Sequence, residues 1–410
     1  MRRIVVLLAS MALAMLLACG VALALPSETP DKTPMVNGTV RAIEQVGTNI
    51  WLGGKFTKVK QCINRTNALP VSNLAVIDSK TNECRTFPLL TKLSGTGSEV
   101  WDMTLYGQNV LIAGKFAGPT STQKNLVLVD GTTGDVIQWY NAPSLKAALA
   151  APDLGRVYGG GVSLSAFELS GKKLWTEAKT TVNSSNYDAN VPTPGYRDLE
   201  LDGSTIWAAC ACDTVEGEEA KALVKLRTDN NPSTDGVHDA SWIAEADSAS
   251  WGMSVVAANG ALYLGAGGSD YLAEFSKASG GKPNWLRDTS GSVQVVEVMD
   301  GQLVIGGHLW EVADQLDNQL VDMVNKCGHG RSKPDLDPSG ECYTRKGIAT
   351  YSFEGELDPQ GDPQLDPWSP TYAGKYSLVW ALHVDGPRLH TGGEFLTVNG
   401  VTQNYYARLS

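Results

Sequence analysis

A short motif recurs along this chain: aromatic or aliphatic residues, then two small residues, usually Gly-Gly, followed in several copies by a charged residue and Phe. The clear copies are Trp51–Phe56, Leu111–Phe116, Val157–Gly160, Leu262–Ala266, Leu303–Gly307 and Leu389–Phe395, and a degenerate copy is Ile206–Cys210. Successive copies are separated by distances from 41 residues (Ala266 to Gly307) to 86 residues (Gly307 to Gly393). Such self-similarity is typical of stacked supersecondary units, so it restricts the chain to a repeat architecture.

The second copy shows the repeating unit most clearly. Residues 100–106 alternate in polarity, residues 110–116 contain the motif, and two further apolar runs follow at 126–129 and 136–139, with turns rich in Gly, Asn and Asp between them. Four short strands joined by such turns predict an antiparallel sheet, whose strands we name A to D from the inside outwards. Seven A–B hairpins predict an all-β fold, a seven-bladed β-propeller of four-stranded antiparallel blades.

The Gly-Gly pairs of strand B are interpreted as a packing feature. Blades taper toward the axis, so an inner strand has little room for side chains, and no helix follows these glycines to form a phosphate site. The chain ends at residues 405–409, which resemble a strand C and leave no residues for strand D. We therefore expect the segment around Pro34–Asn37 to supply the closing strand of the last blade.

The N-terminus carries a targeting pattern. Arg2 and Arg3, a long apolar run and Ala22-Leu-Ala24 are typical of a secretory signal peptide cleaved after Ala24. Two alternatives stay open: Leu16-Leu-Ala-Cys19 resembles a bacterial lipobox that would lipidate Cys19, and an uncleaved run could span a bilayer. All three place the folded part outside the cytoplasm, secreted or at the cell surface. We expect a signal peptide at 1–24, an N-terminal segment at 25–39 and a single propeller domain at 40–410, with an insertion at 310–345 in the sixth blade.

Charge and cysteine content restrict partners and compartment. The formal charge is −11, and it becomes −13 without the first 24 residues and their two arginines. Because no basic run interrupts this acidity, we expect no nucleic-acid partner. We also expect a monomer. The cysteines after the signal form three near-neighbour pairs typical of disulfides in an exported protein. The predicted pairs are Cys62–Cys84, Cys210–Cys212 and Cys327–Cys342.

Two sets of segments resemble known propeller repeats. Gly53–Val59 and Gly392–Gly400 resemble the GG-x-F-x-x-V-x-G signature of delta-60-type repeats in secreted bacterial propellers. Residues 130–139 and 276–285 resemble the D-x-x-T-G-x-x-x-W repeats of quinoprotein-like (PQQ-like) propellers. The resemblance covers nearly all of residues 40–410 and implies a propeller without a settled activity. Quinoprotein dehydrogenases carry adjacent cysteines under their cofactor, whereas Cys210 and Cys212 are separated by Ala211, so we expect no cofactor.

Counting back from the last small residue of each strand B aligns the A strands. Ten residues earlier lie Glu44, Thr104, Ala150, Glu200, Val256, Glu297 and His383. Thirteen residues earlier lie Arg41, Trp101, Ala147, Arg197, Met253, Gln294 and Trp380. Since strand A borders the channel of a propeller, we expect these residues to surround the channel at two levels.

The two levels allow functional and structural interpretations. Glu44, Glu200, Glu297 and His383 are candidates for acid–base catalysis or cation binding, or they are polar because water fills the channel. The binding candidates are Arg41, Trp101, Arg197, Trp251 and Trp380. Aromatic side chains at a channel mouth could stack on sugars or hold a peptide, or they could pack between blades.

A calcium site is an alternative within the 310–345 insertion. Asp335, Asp337 and Ser339, followed by Gly340, resemble the first half of a calcium-binding loop. Lys346 stands where such a loop has its closing Glu, so a disulfide-clamped turn is the other interpretation.

We expect a binding or interaction module for an extracellular glycan, peptide or protein rather than an enzyme. One alternative is an extracellular enzyme with an acidic site at the channel mouth. The other is an envelope-associated scaffold that binds no small ligand.

Overall fold

The computed structural model describes residues 25–186, 192–229, 231, 234–246, 250–313, 342–357, 363–374 and 378–410. The predicted signal peptide with Cys19, the predicted partner Cys327, and the calcium candidates Asp335, Asp337 and Ser339 lie outside the described residues. Within the described ranges, no helix has the length and apolar character needed to cross a bilayer.

The described residues form antiparallel sheets almost throughout. Seven of these sheets contain one predicted A–B hairpin each, and we number them 1 to 7 in chain order. In order A to C or A to D, their strands are Thr39–Val46, Asn49–Lys55 and Leu74–Asp78; Ser94–Tyr106, Asn109–Ala117, Lys124–Asp130 and Val136–Asn141; Ala147–Ala151, Arg156–Gly160, Leu164–Glu168 and Lys173–Glu177; Gly195–Asp202, Thr205–Ala211 and Leu223–Arg227; Trp251–Ala258, Ala261–Gly267, Tyr271–Ser276 and Trp285–Asp288; Val293–Met299, Gln302–Gly307, Ile348–Leu357 and Pro363–Leu365; and Val379–Asp385, Arg388–Gly393 and Tyr406–Leu409.

Small accessory sheets and three short 3₁₀ helices complete the described secondary structure. The helices are Pro88–Thr91, Pro152–Leu154 and Ser184–Asn186. The accessory strands are Met35–Val36, Lys58–Lys60 and Leu69–Pro70; Thr180–Thr181, Thr214–Val215 and Glu218–Glu219; Glu311–Ala313 and Cys342–Thr344; and Tyr372–Ala373, Thr397–Val398 and Val401–Thr402.

The accessory sheets explain the Phe-x-x-Val part of the repeated motif. In sheets 1 and 7, a hairpin in the B–C connection pairs with the short segment that precedes strand A of the same sheet. Phe395 and Val398 of this connection are fully buried, as Val59 is in sheet 1. The motif therefore encodes the end of strand B and the hairpin that follows it.

The closing segment is not the one predicted. Met35–Val36 pairs with residues 59–60 in its own accessory sheet, and among the described residues it forms no ladder with the last sheet. Instead, Pro30 forms a bridge with Leu409, and the Asp31 amide donates to the Arg408 carbonyl at 2.8 Å. The Arg408 guanidinium also pairs with the Asp31 carboxylate, with Nε and Oδ2 2.6 Å apart. The N-terminal residues thus form the outer edge of sheet 7.

Neighbouring sheets approach closely at the Gly-Gly pairs. A Cβ on Gly53 would lie 2.5 Å from the Val100 Cγ1 of the next sheet, and one on Gly54 would lie 2.0 Å from the Thr39 carbonyl oxygen. The same relation joins sheet 7 to sheet 1, because a Cβ on Gly392 would lie 2.5 Å from the Val40 Cγ1. The packing interpretation of these glycines agrees with this geometry.

The A strands are placed side by side. Each contacts the A strand of the following sheet, and the A strand of sheet 7 contacts that of sheet 1. Two of the predicted disulfides, Cys62–Cys84 and Cys210–Cys212, are present.

Candidate functional site: the cavity between the A strands

A β-bulge interrupts strand A at the same position in six of the seven described A–B pairs. At each bulge, one residue of strand A has no partner on strand B, and the residues on either side pair in shifted register. The bulged residues are Arg41, Trp101, Arg197, Met253, Gln294 and Trp380. A bulge redirects a side chain and commonly stands next to a binding site. Six of the seven residues thirteen positions before strand B's last small residue are therefore bulge positions.

A cavity of about 460 Å³ lies between the A strands, and all six bulged residues line it. Sheet 3 has no bulge, and Lys146, the residue before its strand A, lines the cavity there. Glu44, Glu200, Glu297 and Trp251 are also in its wall. His383 is not in the lining, although its Nδ1 lies 3.9 Å from Glu44 Oε2. The volume is in the range of small-molecule and peptide-end sites.

Arg41 is held between two aromatic rings. Its guanidinium carbon lies 4.1 Å from the centroid of a Trp101 ring and 4.2 Å from that of a Trp380 ring. Its Nε donates to the Glu99 carboxylate, which is buried. Cation–π contacts and an ion pair together fix the guanidinium, so Arg41 is a preorganised donor at the cavity.

Two further cations lie in the same wall. The Lys146 ammonium is 5.3 Å from the centroid of a Trp101 ring. Desolvation, and then repulsion from Arg197 and Arg41, lower the pKa of Lys146 to about 8. Desolvation also lowers the pKa of Arg197 to about 10. Repulsion from the two arginines therefore destabilises the Lys146 ammonium, which an anion between them would relieve.

Several polar atoms at the cavity are buried and have no hydrogen-bond partner. They are Arg41 Nη1, Arg197 Nε, Trp380 Nε1 and Gln294 Oε1. Three of the four are donors, and leaving a donor unpaired away from water costs about 1–3 kcal/mol. Four residues that line the cavity therefore carry a polar atom whose hydrogen-bonding capacity is unsatisfied.

The three glutamates of the cavity wall have raised pKa values. Desolvation, followed by the negative fields of Asp102 and Glu297, raises the pKa of Glu44 to about 8. Desolvation likewise raises the pKa of Glu200 and of Glu297 to about 7. Because burial lowers the pKa of His383, Glu44 and His383 are both largely neutral at pH 7 and form no strong ion pair.

Sequence reasoning missed two carboxyl groups in the cavity wall, Asp102 and Asp198. Both lie directly after a bulged residue, twelve positions before the last small residue of strand B. Desolvation raises the pKa of Asp102 to about 8 and also raises that of Asp198. The same counting, extended to the twelfth position, would have found them.

The two aspartates connect neighbouring A strands. Asp102 Oδ2 accepts from the Ala148 amide of sheet 3 at 2.7 Å. Asp198 Oδ2 accepts from the Val255 amide and the Ser254 hydroxyl of sheet 5 at 2.9 and 2.8 Å. These contacts are structural, and they hold two carboxyl groups in the wall that also carries the cations.

Within the described residues, Arg41 and Arg197 form no ion pair with the glutamates predicted at the channel. Arg41 pairs with Glu99, and Arg197 donates to the Thr193 carbonyl at 3.0 Å. Among the residues the structure describes, no three His, Cys, Asp or Glu side chains are grouped so as to hold a metal ion. The cavity thus has a cationic and aromatic level and, beside it, a level of desolvated carboxyls.

No protein-family model matches the chain, and no curated protein matches its sequence. Solved structures match over most of its length. The WD40 repeats of RRP9 are similar with a TM-score of 0.56 and 9% identity, covering 93% of this chain and 98% of that one. WD40 repeats form β-propellers. The chain folds as a β-propeller.

Two other structures are similar to this propeller. Raptor from Chaetomium thermophilum matches with a TM-score of 0.51 and 11% identity over 93% of this chain and 29% of that one. BamB from Moraxella catarrhalis matches with a TM-score of 0.43 and 12% identity over 92% of this chain and 97% of that one. At these identities the likeness concerns the fold alone.

Proposed function

We propose that this protein is an exported, seven-bladed β-propeller that acts as a binding module, with its ligand site in the mouth of the channel between the A strands. The observation that carries the proposal is the set of bulges. They direct six side chains from different sheets into one cavity, where four polar atoms have no partner. Bulges are costly irregularities in a ladder, and their recurrence at one level supports a role for the side chains that they redirect.

The arrangement of the sheets supports seven blades in a closed ring. Each A strand contacts the next, and Gly392 of sheet 7 packs on Val40 of sheet 1 as Gly53 packs on Val100. The N-terminal residues around Pro30 then act as the outer strand of the seventh blade.

Export is supported by the predicted signal peptide and by the two disulfides, which fit an oxidising compartment. N-terminal sequencing of the mature protein tests it: Leu25 is expected first. A lipid-modified Cys19 would establish the anchored form, and an intact Met1 would contradict cleavage.

The binding function is tested by probing arrays of glycans and peptides with the purified protein. We expect a ligand whose signal falls when Trp101 or Trp380 is changed to Ala, because both rings hold Arg41 at the cavity. Tyr343→Ala, which removes an exposed ring in an accessory sheet, is the matched control and is expected to bind normally. Binding that is unaffected by either tryptophan variant would place the ligand elsewhere, and no binding to any array would favour the scaffold function.

Catalysis is a second candidate function, favoured by the raised pKa values of Glu44 and Glu297. Carboxyl groups that titrate near pH 7 are suited to act as general acids. A hydrolase screen with chromogenic glycosides and esters tests this function. Activity lost in Glu44→Gln and Glu297→Gln, and kept in the exposed variant Glu177→Gln, would support it.

A further inference from the structure

Three cationic side chains give one level of the cavity wall a positive charge, whereas the net charge of the protein is negative. Arg41, Lys146 and Arg197 face one space, and Glu99 is the carboxylate that pairs with one of them. Within the described part of the chain, neither the Lys146 nor the Arg197 side chain has a carboxylate at ion-pair distance. The chain has a net charge of −11, yet these two cations lie in a partly desolvated wall without an ion-pair partner among the described residues.

We infer that the channel mouth binds a carboxylate, and that this carboxylate is the C-terminus of a polypeptide. The inference rests on the proposed binding function and specifies its ligand. A guanidinium presents N–H donors in a planar fork that matches a carboxylate. Two of the three unpartnered donors, Arg41 Nη1 and Arg197 Nε, belong to the two guanidinium groups at the cavity.

The carboxyl groups beside the cations favour a singly charged ligand. Glu44, Glu200 and Glu297 are in the same wall, together with Asp102 and Asp198. A phosphate ester would bring a second negative charge toward Glu200 and Glu297, which are partly ionised at pH 7 because their pKa values are about 7, and like charges at close range are unfavourable. A carboxylate satisfies the donors with one charge.

The aromatic rings favour a peptide over an acidic sugar. Sugars stack on free aromatic faces, whereas the Trp101 and Trp380 rings contact the Arg41 guanidinium, and Trp101 also contacts Lys146. The cavity additionally has apolar wall from Met253 and Val256, which suits a terminal aliphatic side chain. Its volume of about 460 Å³ is far too small for a folded protein but large enough for the last residue or two of an extended chain.

The test compares free and amidated peptide ends. The purified protein is immobilised and exposed to a mixture of two hexapeptide libraries, degenerate in sequence, one with free C-terminal carboxylates and one with C-terminal amides. Mass spectrometry of the retained peptides measures the ratio. We expect the free acids to be enriched about tenfold or more, as for loss of a hydrogen bond to a charged group.

Charge variants locate the effect. Lys146→Gln and Arg197→Gln are each expected to reduce the acid-over-amide enrichment about tenfold, and Lys146→Arg is expected to keep most of it. Lys172→Gln is the matched control, since it removes the same charge from an exposed turn. Thermal melting of each variant shows whether it is folded, and the Arg variant keeps the test valid if the Gln variant is not.

Three outcomes would overturn the inference. Equal retention of acids and amides would show that the terminal charge is not recognised. Stronger binding of a glucuronate oligosaccharide or a phosphopeptide than of any free-acid peptide would leave the channel as the binding site but assign it another ligand. Retention of no peptide would reject the peptide C-terminus, while the glycan array, with the Trp380→Ala variant, would still test the binding function separately.

Discussion

At the scale of the residue, the desolvated carboxyl group of Asp198 links neighbouring sheets through hydrogen bonds. Its two oxygens accept from the Leu199 and Val255 amides and from the Ser254 hydroxyl. Ser254 in turn accepts from the Val296 amide at 3.1 Å. One side chain in sheet 4 is thereby linked through sheet 5 to sheet 6.

Replacing Asp198 by Ala is expected to lower the free energy of unfolding by about 2–3 kcal/mol, because three donors lose a charged or strong acceptor. Urea denaturation measures the change. Asp202→Ala, at the solvent-exposed end of the same strand, is the control and should cost less than about 1 kcal/mol, as is usual for a surface ion pair. Equal effects of the two variants would contradict the linking role.

The channel carboxyls also predict a pH dependence of stability. Glu44, Glu200 and Glu297 have pKa values of about 7–8 in the folded protein, above those of an unfolded chain, so they bind more protons in the folded state between these values. Their contribution is fully present below about pH 4 and is lost as the pH rises through 7–8. The buried histidines, whose pKa values are lowered, act in the opposite sense below about pH 6.5.

We therefore expect the melting temperature to fall from pH 6.5 to pH 7.5, a window in which the carboxyls titrate, the histidines stay neutral and Lys146, whose pKa is about 8, stays mostly charged. Glu44→Gln should reduce this slope, and the exposed variant Glu177→Gln should not. Differential scanning calorimetry at several pH values measures the slope, and a melting temperature that rises with pH across this window would refute the assignment.

At the scale of the element, the A–B hairpin could be predicted from sequence and the bulge within it could not. The predicted A strand at 293–299 agrees with Val293–Met299, because alternating side chains and a Gly-containing turn define both ends. A bulge leaves no such pattern, since it adds one residue without changing composition. It also shifts the alternation, so the bulged residues Arg41 and Arg197 reach the cavity although they lie three positions from Glu44 and Glu200, a spacing that strict alternation assigns to the other face.

The close contact at Gly53 can be tested by a double-mutant cycle. Gly53→Ala is expected to destabilise the protein by about 1–3 kcal/mol, because the added methyl overlaps Val100. Val100→Ala removes that overlap, so the double variant should be more stable than the sum of the single changes predicts. Chemical denaturation of all four proteins provides the coupling energy, and strict additivity would mean that the two residues are not in contact.

At the scale of the whole molecule, the sequence predicted that N-terminal residues pair with the last sheet but did not predict which residues do so. Met35–Val36 has strand-like character, yet the B–C hairpin of sheet 1 requires it. The residues that pair with the last strand include Pro30. Proline has no backbone N–H to donate to a neighbouring strand, so sequence patterns do not predict a strand there. Proline is nevertheless tolerated at a sheet edge, which is the position that Pro30 occupies.

Removal of residues 25–31 is expected to lower the melting temperature and to speed amide hydrogen exchange in Tyr406–Leu409, which loses its outer partner. Strand C of sheet 3, Leu164–Glu168, has partners on both sides in either protein and should exchange at an unchanged rate. Hydrogen exchange with mass spectrometry measures both segments. Unchanged exchange at 406–409 would show that the N-terminal residues do not secure the last sheet.

The pairing of Pro30 and Asp31 with Arg408 and Leu409 also imposes an order on biosynthesis. A ribosome makes residues 30 and 31 early and residues 408 and 409 almost 380 residues later, so the first segment has no partner until the strand Tyr406–Leu409 has been made. Any nascent or prematurely terminated chain that lacks Tyr406–Leu409 retains an unpaired edge at its last sheet. Unpaired edges promote pairing between chains, so a chain truncated before Tyr406 is expected to be more prone to aggregation than one that contains Tyr406–Leu409.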